Sequence, residues 1–209
     1  MKNKAVYFCF ILLCLVVPVT LTLGNALLLT YTQATYQKLL FQNQEITLSR
    51  ADRKNLADSL YQGITHQKSV QLVLESGQPA FSQKEITHML DVASLVKFFS
   101  FLFIFLITLS ITFLLWLRKF RFSSLAYLPI VSFFLSVITL FLVLFKFEAA
   151  FTLFHQISFS NDFWLLDPSQ DLLINLFPSS FFVIQLVKIN IMTLLELILL
   201  FFGLRVIKK

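Results

Sequence analysis

Apolar residues run almost unbroken through four stretches, at about Ala5–Leu28, Leu95–Leu117, Leu125–Phe145 and Phe181–Leu204. Crossing about 30 Å of hydrocarbon takes roughly 20 residues of helix at about 1.5 Å each, so each stretch predicts a transmembrane helix. Between them lie two polar-to-mixed segments, residues 31–92 and 146–180. Within the first, Ser49–Asp52 can cap a helix whose apolar positions Leu56, Ala57, Leu60, Tyr61 and Ile64 share one face, with Gly63 as its stop. Val70–Leu74 alternates loosely and predicts a strand, and Gly77–Pro79 predicts a turn. Ser82 and Glu85 form a capping box that starts a helix running on into the second span. In the second segment the third helix is expected to continue past His155 and to break at Asn161-Asp162. Asp167-Pro168 should start a short helix with Leu172, Leu173, Leu176 and Phe177 on one side, lying in the membrane interface. The fold class is thus an all-α membrane protein, with four transmembrane helices and a small mixed α/β extracellular cap built from 31–92 and 146–180. The chain reads as a single integral membrane domain, residues 1–209.

Composition agrees with that pattern. The chain has 209 residues, is 57% hydrophobic and only 13% charged, and contains 26 Phe. The formal charge of +6 could suggest nucleic acid, but its placement argues otherwise. Lys2, Lys4, Arg118, Lys119, Arg121, Arg205, Lys208 and Lys209 fall on one side of the predicted spans, with no acidic residue among them. By the positive-inside rule both termini are cytoplasmic and the two cap segments face outside. The first span is too long for a cleaved signal and reads as an uncleaved anchor. Cys9 and Cys14 lie inside it and read as small apolar residues, neither a disulfide nor a metal pair.

Chemistry has few places to live. No nucleophile elbow, phosphate loop, zinc motif or Cys/His cluster is present, and neither a metal nor another cofactor is implied. His66, His88 and His155 all fall outside the spans. His88 and His155 are placed near the outer membrane boundary on different helices, and histidine exchanges protons near neutral pH. Glu85 and Asp91 flank His88 at three residues on either side, hence on its own helix face. Lys188 and Glu196 fall within the fourth span, where charged groups are functional candidates by default. Lys188 is near enough to the outer end to snorkel, whereas Glu196 is harder to excuse.

The stretch Phe154-His155 through Asn161-Asp162, Trp164 and Asp167-Pro168, on to Asp171 and Phe177-Pro178, resembles the signature of the lipoprotein intramolecular transacylases of Gram-positive bacteria. The stretch Phe81–Val92, with Glu85, His88 and Asp91, resembles that family's shorter block. Ala93 and Ser179 stand where the family pattern has a lysine and an acidic residue. The resemblance implies a multi-pass protein of the bacterial cell membrane whose partners are diacylglyceryl-modified lipoproteins and membrane lipid. The reaction it implies moves the acyl chain from the secondary (sn-2) glyceryl ester to the lipoprotein's own N-terminal amine, giving a lyso-form lipoprotein. His155 and His88 would then be the catalytic pair, with Asn161, Asp162, Phe154, Trp164, Asp167, Glu85 and Asp91 holding substrate or orienting the histidines. Ester to amide is downhill and both reacting groups belong to one molecule, so neither ATP nor an enzyme nucleophile is needed. The rival readings are a small transporter built on Glu196 and Lys188, a non-enzymatic membrane adaptor, and an acyltransferase drawing on a separate phospholipid donor.

Overall fold

The computed structural model describes residues 2–42, 48–68, 72–119 and 127–206. Eight helices follow one another among them: α1 (Lys2–Thr30), α2 (Gln33–Gln42), α3 (Arg50–His66), α4 (Gln83–Lys119), α5 (Leu128–Phe145), α6 (Phe147–Ser158), α7 (Leu172–Leu176) and α8 (Ser179–Val206). Four of them, α1, α4, α5 and α8, are long and apolar enough to cross a membrane. The apolar runs read from the sequence fall within these helices, except for residues 125–127 ahead of α5, of which 125 and 126 lie outside the described residues.

Contacts divide the chain into two compact units. The first comprises residues 1–26, 100–146 and 184–209. Its α1 carries Pro18, which has no N–H to give to the carbonyl of Cys14 one turn earlier. Ser132 of α5 donates its hydroxyl to that carbonyl at 3.3 Å, so the vacancy is filled from a neighbouring helix, as the hydrocarbon phase requires. Gly24 lies where an added Cβ would sit 2.8 Å from the Phe103 ring of α4, so any larger residue there would force that ring to shift. Val6, Leu13, Cys14, Leu117 and Leu128 form the apolar centre.

The second unit comprises residues 27–99 and 147–183. Its core gathers Tyr36 and Leu40 of α2, Leu56, Ala57 and Leu60 of α3, Ala80 and Phe81 ahead of α4, Met89 of α4, and Leu173 and Leu176 of α7. Ser49 caps α3 by accepting the Asp52 amide at 3.0 Å, as its sequence predicts. Gly63 does not end α3. The helix runs on to His66 and stops at Gln67, which takes the left-handed conformation (φ 54°). The Ser82/Glu85 capping box forms in both directions: Ser82 N donates to Glu85 Oε2 at 2.7 Å, and Glu85 N donates to Ser82 Oγ at 3.3 Å.

Four further expectations are corrected here. Among the described residues the cap is helical and contains no strand, so a mixed α/β cap is not supported. Val70 and Gln71 lie outside the described residues, and Leu72–Ala80 closes as a tight loop with one antiparallel bridge, Val73 to Pro79. Gly77 turns it at φ 81°, and Pro79 has no amide with which to extend a ladder. The third membrane helix does not continue through His155: it breaks at Lys146 (φ −130°, ψ 41°), and α6 is a separate helix. Asp167 starts only one turn. Its carboxylate accepts the Ser169 amide and hydroxyl, and α7 begins at Leu172 with Asp171 at the cap position. The apolar side of α7, Leu173 and Leu176, packs into the core of this unit and does not lie open for an interface.

Candidate active site

The two histidines and the residues expected around them all belong to the second unit, whereas Lys188 and Glu196 belong to the first. His88 lies in the second turn of α4, one turn beyond the capping box, and His155 lies in the last turn of α6. Both rings are buried, each at 8% exposure, and their centroids are 6.1 Å apart. No hydrogen bond joins the two rings, and a proton on either raises the cost of one on the other.

His155 is fixed by its backbone surroundings. Its Nδ1 lies 2.7 Å from the carbonyl oxygen of Phe151, one turn back on α6. A carbonyl can only accept, so Nδ1 carries the proton and Nε2 presents a lone pair. Aromatic rings enclose the imidazole: Phe151 at 4.3 Å between centroids, Trp164 at 5.1 Å, Phe154 at 5.5 Å and Phe159 at 5.7 Å. Phe182 stacks behind Phe151 at 5.1 Å. Burial among these rings pushes the His155 pKa below its ordinary value, and the Phe151 carbonyl opposes that shift in part. The ring is therefore held neutral, as one defined tautomer, near neutral pH.

His88 contacts His155 and the edge of Phe159, at 5.2 Å and 75° between planes. Its Nδ1 is buried with no protein hydrogen-bond partner. Asp91, one turn further along α4, accepts a hydrogen bond from Asn161 Nδ2 at 2.9 Å. Asn161 Oδ1 in turn accepts the Phe163 amide at 3.0 Å, an Asx turn that shapes the approach to Trp164.

Of the residues the sequence singles out, the structure brings together His88, His155, Phe154, Trp164, Asn161 and Asp91. Glu85 turns elsewhere. It is 1% exposed, and while Oε2 takes the Ser82 amide, Oε1 takes the Leu173 amide of α7 at 2.6 Å. Asp162 is exposed, and its backbone carbonyl accepts the Leu165 amide. Asp167 is also exposed, and the hydroxyl and amide of Ser169 hold its carboxyl below the usual carboxylate range. Asp171 proves to be a structural centre: it accepts the Asp167 amide at 2.8 Å and the Ser82 hydroxyl at 3.4 Å, and lies 3.9 Å from Lys84 Nζ. Lys84 also reaches the Leu165 carbonyl. Phe151 and Phe159 belong to an aromatic run whose composition suits an interfacial belt or a wall for an acyl chain equally well, and both touch His155. Their spacing of four residues on either side of it was the available signal. Among the described residues, no group of three or more His, Cys, Asp or Glu side chains is arranged to hold a metal ion.

A family model described as lipoprotein intramolecular transacylase Lit matches residues 4–182. No curated protein matches the chain. Among solved structures, the membrane-integral lipoprotein intramolecular transacylase Lit from Bacillus cereus is similar over 97% of this chain and 95% of its own, with 18% identity and a TM-score of 0.72. Two mutant structures of that Bacillus cereus protein, with a histidine changed to arginine and to alanine, are each similar over 98% of this chain and 95% of theirs, at 20% identity and TM-scores of 0.67 and 0.68. At such identities the structural likeness speaks to the fold, whereas the family match extends over most of the sequence. The chain belongs to the lipoprotein intramolecular transacylase family and is a multi-pass membrane protein with the fold of its Bacillus cereus relative.

Proposed function

We propose that this protein moves an acyl chain within a diacylglyceryl-cysteine lipoprotein, from the secondary glyceryl ester oxygen to the N-terminal amine, with His155 as the base. The observation that carries the reading is the pairing of His155 and His88 from two separate helices, with His155 Nδ1–H tied to the Phe151 carbonyl. That bond leaves Nε2 free to take a proton from the attacking amine. The amine nitrogen adds to the ester carbonyl, and the tetrahedral intermediate collapses as the bond between the acyl carbon and the glyceryl oxygen breaks. The proton taken by His155 goes to the departing alkoxide. His88, across the 6.1 Å gap, donates to the intermediate's oxygen or relays that proton. No acyl-enzyme is required, because donor and acceptor arrive in one molecule and the site's task is to fold them together.

Phe154 and Trp164 line the approach to His155 and suit the apolar glyceryl ester, while the Asn161–Asp91 pair holds the loop that carries Trp164. In this reading both termini are cytoplasmic and the site works at the outer boundary of the cell membrane, as the distribution of basic residues supports. The product is a lyso-form lipoprotein.

Mass spectrometry of the N-terminal lipopeptide tests the proposal. The lipoprotein is made in a host producing only the diacylglyceryl form, with and without this chain. Intramolecular transfer leaves the total mass unchanged and moves one acyl chain from oxygen to nitrogen. A gain of one acyl chain means an outside donor and overturns the reading.

A further inference from the structure

A base that activates an amine will activate water as well, and water hydrolyses the same ester. The catalytic pair therefore needs something that favours the amine as acceptor. Among the described residues, Phe159 is the one aromatic side chain that contacts both imidazoles, edge-on to His88 at 5.2 Å and tilted against His155 at 5.7 Å. It is held in place from both sides. Its own amide donates to the His155 carbonyl at 2.9 Å, closing the last turn of α6. Two residues later Asn161 is tied to Asp91 of α4. The ring it covers on α4 has a buried Nδ1 with no protein partner, an atom that an admitted water would satisfy.

Resting on the transacylase reading, we infer that Phe159 determines the acyl acceptor: it fills the space beside the two histidines that a nucleophilic water would otherwise take, so that only the substrate's tethered amine reaches the ester. Removing the ring opens a second reaction. Water adds to the ester carbonyl, losing a proton to the base, and the bond between the acyl carbon and the glyceryl oxygen breaks. The alkoxide takes that proton. The products are a free fatty acid and a monoacylglyceryl-cysteine lipoprotein whose amine is still unacylated. The machinery is the same, and only the acceptor changes.

The test uses the full-length protein in lipid with a diacylglyceryl lipopeptide, and reads two products in one reaction: N-acylated lyso-lipopeptide and released fatty acid. Wild type gives the first. Phe159→Ala raises the ratio of fatty acid to N-acylated product by about tenfold or more, and Phe159→Leu, which restores most of the volume, gives an intermediate ratio. Phe159→Ala combined with His155→Ala releases no fatty acid, which ties the hydrolysis to this site. Folding of each variant is checked by thermal unfolding. Should Phe159→Ala not fold, the ratio measured for Phe159→Leu decides. A folded variant that loses N-acylation without releasing fatty acid, or that keeps the wild-type ratio, overturns the inference. A wild type that yields no N-acylated product sinks the transacylase reading itself.

Discussion

Asn161 donates from Nδ2 to Asp91 Oδ2 at 2.9 Å, and this bond joins the loop after α6 to the helix that carries His88. Phe159 lies two residues before Asn161 and Trp164 three residues after it. The same side chain also accepts the Phe163 amide through Oδ1, so both ends of the amide are occupied and its orientation is defined. The two histidines come from different helices, and this bond links the segments that carry them.

Breaking the connection should cost activity far more than stability. Asn161→Ala removes two hydrogen bonds at a half-buried site, a stability loss of about 1–2 kcal/mol. A displacement of the Phe159–Trp164 loop by about 1 Å lowers turnover by about a hundredfold. Asn161→Ala and Asp91→Ala should be non-additive, with a coupling of about 1 kcal/mol, when turnover is measured through a double-mutant cycle. Strictly additive losses would mean that the bond does not position the site.

The acid limb of kcat/KM should fall below pH 6.5, the ordinary imidazole pKa of about that value being depressed for His155 by burial. A base must be neutral, so activity rises with pH through the depressed pKa and is already near its plateau at neutrality. Trp164→Ala admits solvent and should move the limb upward toward the ordinary value. The same shift carries a stability consequence of fixed sign. The unfolded chain binds a proton that the fold resists, so the contribution of His155 is full above its unfolded pKa and is lost as pH falls toward the folded one. Unfolding temperatures recorded across this range, for wild type and His155→Gln, should converge at the acid end.

Glu85 should behave as a structural residue. Its buried carboxylate accepts amides from Ser82, at the start of α4, and Leu173, at the start of α7. Glu85→Ala leaves both buried donors unmatched and should destabilise the protein by about 2–4 kcal/mol. Glu85→Gln restores one acceptor but sets an amide N–H against the other donor, and should be intermediate. In both variants the pH profile of the enzyme that remains folded should match wild type. A displaced acid limb would show that Glu85 acts on the histidines directly.

The features legible in the sequence were those written in short-range spacing. The four spans follow from apolar length alone, and the Ser82–Glu85 box is a three-residue relation that forms as read. Sequence reasoning failed where two local signals competed or none was present. Both Asp167 and Asp171 precede α7, and Asp167-Pro168 carries the more conspicuous start signal. Yet Asp171 occupies the cap position, because its carboxylate is drawn into bonds with Asp167 and Ser82 that only the folded chain supplies. The break at Lys146 has neither proline nor glycine to announce it, and Phe145 and Phe147 continue the apolar run on either side. The helix α2 follows Thr32, an N-cap residue type, but lacks the Glu or Gln three residues on that completes a capping box. At the candidate site, the individual histidines stood out, but their 6.1 Å separation joins residues 67 positions apart and rests on tertiary packing that periodicity does not encode.

Glu196 offers a last discrimination, against the transporter reading. Within the first unit its Oε2 accepts a hydrogen bond from Asn25 Nδ2 at 3.0 Å, and the same amide reaches Thr193 Oγ1 at 3.1 Å. Asn25 and Thr193 are both buried, and Thr22 approaches Thr193 at 3.5 Å. This is an interhelical polar clamp between α1 and α8, of the kind that holds membrane helices together by about 1 kcal/mol. Glu196→Gln keeps an acceptor for Asn25 and should leave acyl transfer within about twofold of wild type, whereas Asn25→Ala removes the donor to both partners and should lower the unfolding temperature in detergent. Both would be measured on the same purified preparations, by lipopeptide conversion and by thermal unfolding. Loss of conversion in a Glu196→Gln protein that unfolds at the wild-type temperature would assign the carboxylate a functional part that the clamp does not explain.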